Sequence, residues 1–349
     1  MVGVGIVGCG KIAQVRHLPE YEENPDARIM GLYDANAQRT SELAERYGCV
    51  AFKSLDDLLA SSAIDAVSVC TSNATHAEVT VSALQAGKHV LCEKPMSTSL
   101  GECIRMVDAA ASSGKKLMID QNQRFARAHQ RARQLLEAGR IGRILTFRTT
   151  FGHGGPETWS VSPGTGSWFF DPKRAAMGAM ADLGVHKTDL IQWLLGQEIV
   201  STIARVSTLD KRDPEGNLVG VDDNAICIYT LADGTVGTMT ASWTYYGGED
   251  NSTILYGTEG VMRIYDDPTH SIIIDLRNGE REYYDVEAIQ TNEIQTRSGV
   301  IDAFVDCIEN DREPPISGRS VLSAMRAVFA SIESSKTGRT VPTSEAVGI

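Results

Sequence analysis

Short β-rich runs and helical stretches take turns through the first third of the chain, and this rhythm restricts the fold more than any other feature. The runs are Val2–Val7, Arg28–Tyr33, Ala66–Cys70, Lys88–Cys92 and Lys116–Asp120. Between and around them lie Lys11–Glu22, Ala37–Tyr47, Leu55–Ser61, Ala74–Ala86 and Leu100–Ala111, all with helical periodicity. Strand–helix alternation at this spacing predicts an α/β fold that opens with a doubly wound parallel sheet.

After about residue 121 the rhythm changes. A helix over Ala128–Ala138 leads into a strand, Ile144–Phe151. A Gly/Pro-rich loop follows, Gly152–Pro172, carrying Trp159, Trp168, Phe169 and Phe170. A long helix, Gly178–Leu195, stops at Gly196. From Ile199 to Asp285 come strands with turn signals at Ala232-Asp233-Gly234, Gly257-Thr258-Glu259-Gly260 and Arg277-Asn278-Gly279, the chemistry of hairpins. Two helices, Val300–Glu309 and Ser320–Ser335, close the chain. The expectation is a second, α+β domain over 122–349 with a large open, mostly antiparallel sheet, after a first domain over 1–121.

The 349 residues suit two domains. A net charge of −12 leaves no basic surplus to neutralise phosphates, which argues against a nucleic-acid partner. No apolar run approaches a membrane span, and a strand candidate at Val2 leaves no room for a leader. Seven scattered cysteines without a Cys-x-x-Cys pair read as buried reduced thiols. These features place the chain in the cytoplasm. The dispersed histidines give no ligand spacing with cysteine, so no metal is expected.

Gly8-Cys9-Gly10-Lys11-Ile12-Ala13 follows the first strand and opens the first helix. The first glycine permits a tight turn and the second lets the backbone approach a pyrophosphate. The small Ala13 allows close helix–strand packing, and the helix N-terminus favours the anion. Asp34 closes the second strand 21 residues after Ala13, where a carboxylate can accept both ribose hydroxyls of an adenosine. A turn or helix-cap role for Asp34 is the bland alternative. A carboxylate there repels a 2′-phosphate, so NAD is preferred to NADP; Arg39, one helical turn on, is the nearby cation that could reverse this.

Lys94, between Glu93 and Pro95, ends the apolar run Lys88–Cys92. Pro95 restricts its backbone, so an ammonium is held at the rim of the sheet, where ligands of open α/β folds bind. Asp182 and His186 stand four apart on one predicted helix face, with Asp189 three further on at its border. A carboxylate beside an imidazole can orient it and make it a better base near neutral pH. Both patterns also occur on surfaces that do no chemistry.

Together these segments are identified as a member of the glucose–fructose oxidoreductase / inositol dehydrogenase / MocA-like oxidoreductases. The resemblance adds Thr71-Ser72-Asn73-Ala74-Thr75-His76, the run Ala86–Pro95, Asn122-Gln123-Arg124-Phe125 and Asp182–Asp189. It implies a Rossmann domain, then a domain whose sheet mediates homodimer or homotetramer contacts, and a cis Lys94–Pro95 bond. It implies Lys94, Asp182 and His186 as catalytic. Thr71, Ser72, Asn73, His76, Glu93, Lys94 and Trp168 join the Gly8–Ala13 loop and Asp34 as cofactor-binding. Two departures lie near the substrate side: Ala175–Met180 replaces a glycine-rich approach, and Phe169 follows Trp168 where an arginine is frequent.

The resemblance further implies hydride transfer between a secondary alcohol and the nicotinamide, with a sugar, glycoside or cyclitol as substrate. His186 accepts the hydroxyl proton, Asp182 orients His186, and Lys94 hydrogen-bonds the same oxygen. Because these residues come from both domains, the expected site lies in the cleft between them. Asn122, Gln123, His153, Asp189 and Tyr245 are candidates for substrate contacts. The loop aromatics either cover a sugar ring or pack the loop on its own domain. Two other functions remain open at this level: a redox-neutral glycoside hydrolase or lyase that recycles NAD, and a non-catalytic NAD-binding sensor.

Overall fold

A computed structural model of the chain describes residues 1–161, 163–286 and 297–346. It has two compact units. The first comprises Met1–Asn122 and Gln290–Leu322, the second Gln123–Ile289 and Ser323–Ile349. The later segment belongs to the first unit through specific bonds. Glu20 accepts the Ser298 N–H and hydroxyl (2.9 and 3.0 Å), Asp302 accepts from Asn24 (2.7 Å), and the Ile119 N–H reaches the Ile316 carbonyl (3.0 Å).

The first unit is built on a six-stranded parallel sheet. Its strands are β1 (Val2–Val7), β2 (Ala27–Tyr33), β3 (Val50–Ala51), β4 (Ala66–Val69), β5 (His89–Cys92) and β6 (Leu117–Ile119). Their order is β3-β2-β1-β4-β5-β6, so the direction of winding reverses between β1 and β4, the switch point where such sheets bind ligands. Every residue of β1, β4 and β6 is buried, as expected of parallel strands covered on both faces. Helix Ala37–Tyr47 has the predicted bounds and visible causes. The Asn36 side chain accepts the Arg39 N–H (3.0 Å), and Gly48 ends the helix at φ 60°.

Two elements of this unit differ from expectation. β3 was not anticipated: both residues are exposed, so no alternation marks them. The helix expected over Lys11–Glu22 contains a π-helical turn, Ala13–His17, before an α-helix over Leu18–Glu23. Pro19 lacks the N–H for the preceding turn and its ring crowds that carbonyl, so the helix widens there.

The second unit holds a nine-stranded sheet. It comprises β7 (Ile144–Gly152), β8 (Ile199–Ser207), β9 (Asn224–Leu231), β10 (Val236–Ser242), β11 (Thr253–Gly257), β12 (Gly260–Ile264), β13 (Ile272–Leu276), β14 (Arg281–Tyr284) and β15 (Val341–Pro342). The order is β14-β13-β12-β11-β7-β10-β9-β8-β15. Only the β7–β10 pair is parallel among them. All three predicted turns join neighbouring antiparallel strands.

In β9 burial alternates: Ala225, Cys227, Tyr229 and Leu231 face inward, while Ile226 and Ile228 are exposed. The inner face carries helices, with Tyr229 Oη 2.9 Å from Thr188 Oγ1 and Thr202 Oγ1 3.2 Å from Ser331 Oγ. The outer face leaves Val200, Ile203, Ile226, Ile228 and Val236 exposed.

The long helix expected from Gly178 begins instead with a π-helical turn, Met180–Gly184, and continues as Val185–Leu195. Asp222 holds its start by accepting the Gly178 and Met180 N–H groups, both at 2.7 Å. Gly178 has no alternative, because a Cβ there would stand 1.8 Å from the Asp222 carbonyl oxygen. All seven cysteines are free thiols. Among the described residues no helix is long and apolar enough to cross a membrane.

Candidate active site

The loop between β1 and the first helix has the geometry a bound anion requires. Gly8 adopts φ +91°, and a Cβ there would lie 2.6 Å from the Cys70 carbonyl group. Only glycine fits. A Cβ on Gly10, by contrast, meets nothing within 4 Å, so the backbone there faces open space. Ala13 is fully buried, which permits the close packing expected of it, while Lys11 and Ile12 are half-buried. At the end of β2, Asp34 accepts the Cys9 N–H (2.6 Å) and the Asn36 N–H (2.7 Å). Arg39 lies 3.7 Å from the same carboxylate, so this cation is already engaged with Asp34.

After β4 the chain runs through Thr71 and Ser72 into a 3₁₀ turn, Asn73–Thr75. His76 is buried there, with Nδ1 2.8 Å from the Pro95 carbonyl and Nε2 3.2 Å from that of Thr71. Burial lowers its pKa, and a neutral ring carries one N–H, so it donates to one of these two carbonyls at a time. The Lys94–Pro95 bond is cis.

Glu93 is buried beneath that turn. Its Oε2 accepts the Lys94 N–H (3.1 Å) and its Oε1 meets His17 Nε2 (3.0 Å). Arg16 Nη1 lies 3.7 Å from Glu93 and 2.9 Å from Asp120. Burial opposes ionisation of Glu93, but His17 and then Arg16 and Lys94 outweigh it and hold the carboxyl well below the usual range. For Asp120 burial prevails over Arg16 and pushes the carboxyl up to about 6.

In the second unit Asp182 sits in the π-helical turn and His186 one turn on, both buried. Asp182 Oδ2 accepts the indole N–H of Trp243 (3.0 Å) and lies 3.8 Å from His153 Nε2. His153 Nδ1 accepts the Gly155 N–H (3.0 Å), which leaves the proton of the neutral ring on Nε2, facing Asp182. The rings of His186 and Phe151 lie 6.2 Å apart. Tyr245 covers Gly152, where a Cβ would stand 2.1 Å from its ring. The structure thus gathers Asp182, His153 and Tyr245 around the end of β7.

Several other candidates have partners within the protein. Asp189 makes a two-pronged pair with Arg124, Nε–Oδ2 2.7 Å and Nη2–Oδ1 2.5 Å. The Gln123 amide donates to Asn251 Oδ1 (3.2 Å), while Asn122 beside it is half-buried. Trp168 stacks on Phe169 at 4.0 Å, and Phe169 meets Trp159 and Trp243 edge-on. The aromatics of this loop therefore pack chiefly on one another and on Trp243.

Residues 2–121 match the family described as "Oxidoreductase family, NAD-binding Rossmann fold", and residues 129–263 match the "GFO/IDH/MocA C-terminal domain". The chain belongs to the GFO/IDH/MocA oxidoreductases. Its relatives include the myo-inositol 2-dehydrogenase of Thermotoga maritima, 25% identical with 99% of each chain covered. The levoglucosan dehydrogenase of Pseudarthrobacter phenanthrenivorans is 32% identical over 65% of this chain and 62% of the relative. A solved structure of levoglucosan dehydrogenase with NADH and levoglucosan superimposes with a TM-score of 0.85. At 24% identity and 98% coverage of both chains, that likeness speaks for the fold.

For a GFO/IDH/MocA oxidoreductase the nucleotide is NAD, and the residues present fit it. Gly10 leaves room for a pyrophosphate at the start of the first helix, and Asp34 stands at the end of β2 where the ribose diol belongs. Several residues around these sites were not singled out from the sequence: Arg16, His17, Asp120, Trp243 and Lys187. Lys187 is fully buried, donates to the Asn251 carbonyl (2.9 Å), and is lowered by burial to about 7. A polar residue on an otherwise apolar helix face was the available signal for His17 and Lys187. For Trp243 there was none beyond its place at a strand end.

Proposed function

We propose that this oxidoreductase moves a hydride between a secondary alcohol of a sugar, glycoside or cyclitol and NAD. Two features, each described within its own unit, support the reading. Lys94 is fixed after β5 at the nucleotide edge of the first sheet, and His186 follows Asp182 on one buried helix of the second unit. When bound, NAD accepts the hydride from the alcohol carbon. His186 takes the hydroxyl proton as the C–O bond becomes a carbonyl. Lys94 donates to the oxygen as negative charge builds on it. Asp182, held by Trp243, sets the electrostatics around His186 and His153.

Thr71, Ser72, Asn73 and Trp168 serve the nucleotide in this reading. Asn122, Gln123, His153 and Tyr245 meet substrate hydroxyls. Asp189 contributes through Arg124, which it holds. The names of the relatives, myo-inositol 2-dehydrogenase and levoglucosan dehydrogenase, support a cyclitol or anhydrosugar. The test is NADH formation across myo-inositol, levoglucosan, glucose and methyl glycosides. We expect stoichiometric NADH from at least one, and a preference of about tenfold or more for NAD over NADP, because Asp34 repels the extra phosphate. No NADH from any of them overturns the substrate class, and a tenfold preference for NADP overturns the cofactor choice.

The exposed apolar residues of β8, β9 and β10 support a homodimer or homotetramer formed through the outer sheet face by a second copy of this chain. Residence in the cytoplasm belongs to the same reading. Light scattering at micromolar protein should give a dimer or tetramer mass, and Ile226→Glu with Ile228→Glu should reduce it to the monomer. A monomer in the unsubstituted protein rejects the interface.

A further inference from the structure

Below the Lys94 turn lies a group of ionisable side chains that the proposed reaction does not use. Arg16 and His17 come from the π-helical turn after the nucleotide loop, Glu93 from the end of β5 and Asp120 from the end of β6. Their side chains are 5, 0, 5 and 0% exposed. His17 lies 3.0 Å from Glu93 and 3.6 Å from Asp120, and its other nitrogen is 3.2 Å from Ser68 Oγ, itself 2.9 Å from Tyr21 Oη. The imidazole is therefore gripped on both sides.

Burying ions costs several kcal/mol each, and apolar residues of the same size often stabilise a core as well or better. Stability alone therefore gives little reason for such a group. His17, Glu93 and Asp120 approach closely enough to hold a metal ion, but the Arg16 guanidinium, 2.9 Å from Asp120, already supplies the cation. What the group does control is a direction. Toward the reacting edge it is linked by the Lys94 N–H, which donates to Glu93 Oε2 (3.1 Å).

We propose that Glu93 is a positioning residue: clamped by His17 and Arg16, it fixes the backbone of Lys94 and so aims the ammonium group. The proposal rests on the catalytic reading of Lys94 given above, but it can fail separately. Arg16 and His17 follow directly from the nucleotide loop, so the same clamp ties the cofactor loop to the turn that carries the amine. Glu93 acts through Lys94, whose N–H it accepts.

The test is competitive acetylation of Lys94 by acetic anhydride in the full-length protein, read by mass spectrometry against exposed Lys53. Glu93→Ala removes the acceptor and should raise Lys94 labelling at least about threefold, as the turn opens locally. Glu93→Gln keeps an acceptor oxygen and should stay within about twofold of the parent. Unchanged labelling in a folded Glu93→Ala protein, or equal labelling in the Ala and Gln variants, overturns the proposal. Should Glu93→Ala not fold, Ser68→Ala loosens His17 without exposing a buried charge. It should raise labelling by about twofold, and no rise there is equally fatal. In turnover, Glu93→Ala should cost less than about twofold further in a Lys94→Ala background, since a residue acting through another is not additive with it. An additive loss gives Glu93 a role of its own and rejects the proposal. Full turnover by Lys94→Ala alone instead strikes the catalytic reading and leaves the labelling result standing.

Discussion

Replacing Lys94 or His186 by Ala should lower kcat by about two orders of magnitude or more, with NADH affinity changed far less. Each residue is assigned to one oxygen: His186 removes its proton, and Lys94 stabilises the charge the departing proton leaves behind. Without His186 the proton must leave to water, a much weaker base at neutral pH. Without Lys94 the developing alkoxide loses a compact cationic donor in a site that water solvates poorly. Losses confined to KM would mean that these side chains bind the alcohol and its transition state equally. Near-full turnover in both variants would remove the assignment altogether. Stopped-flow measurement of the hydride step with a carbon-deuterated alcohol separates these outcomes from slow product release.

Arg124→Leu should destabilise the second unit by about 3–5 kcal/mol, because it strands the Asp189 carboxylate inside the protein. Asp189 is 2% exposed and already raised by burial, with Arg124 opposing that rise. Removing Arg124 lets the folded-state value climb further above the unfolded one. The folded form then binds the proton that the unfolded form has released, so the deficit grows as pH rises from about 4 through the new folded value. Urea unfolding at about pH 5 and about pH 8 should show the larger loss at the higher pH. Adding Asp189→Leu should restore most of the stability, since two apolar residues leave no unpaired charge. A loss under about 1 kcal/mol in the single variant would show that water reaches the pair.

Much of this molecule was legible in its sequence because local chemistry and long-range burial agree. Ala37–Tyr47 carries its own start and stop signals in Asn36 and Gly48, and the three Gly-containing turns announce their hairpins. The nucleotide loop was legible for the same reason: Gly8 meets a backbone demand that only glycine satisfies, and Gly10 keeps the space beside the loop open. The π-helical turns were not, because both depend on partners distant in sequence or on a proline whose effect on the helix pattern is weak. The wider start at Met180–Gly184 is held by Asp222, which periodicity cannot assign to that helix. Likewise Asp189 reads as a site residue on a helix face until Arg124 is seen to occupy it. Glu93 reads as part of a ligand motif, yet both its oxygens are taken up within its own unit.

The parallel pairing of β7 with β10 has a consequence for how the protein is made. β7 lies between β10 and β11, and both are encoded after it, beyond Val236 and Thr253. During translation Ile144–Gly152 therefore leaves the ribosome with neither neighbour available, and it waits while the long helix and two further strands are synthesised. A strand held with unsatisfied edges invites pairing with other nascent chains. Slowing synthesis ahead of Val236 should therefore cost more soluble protein than slowing it after Thr253.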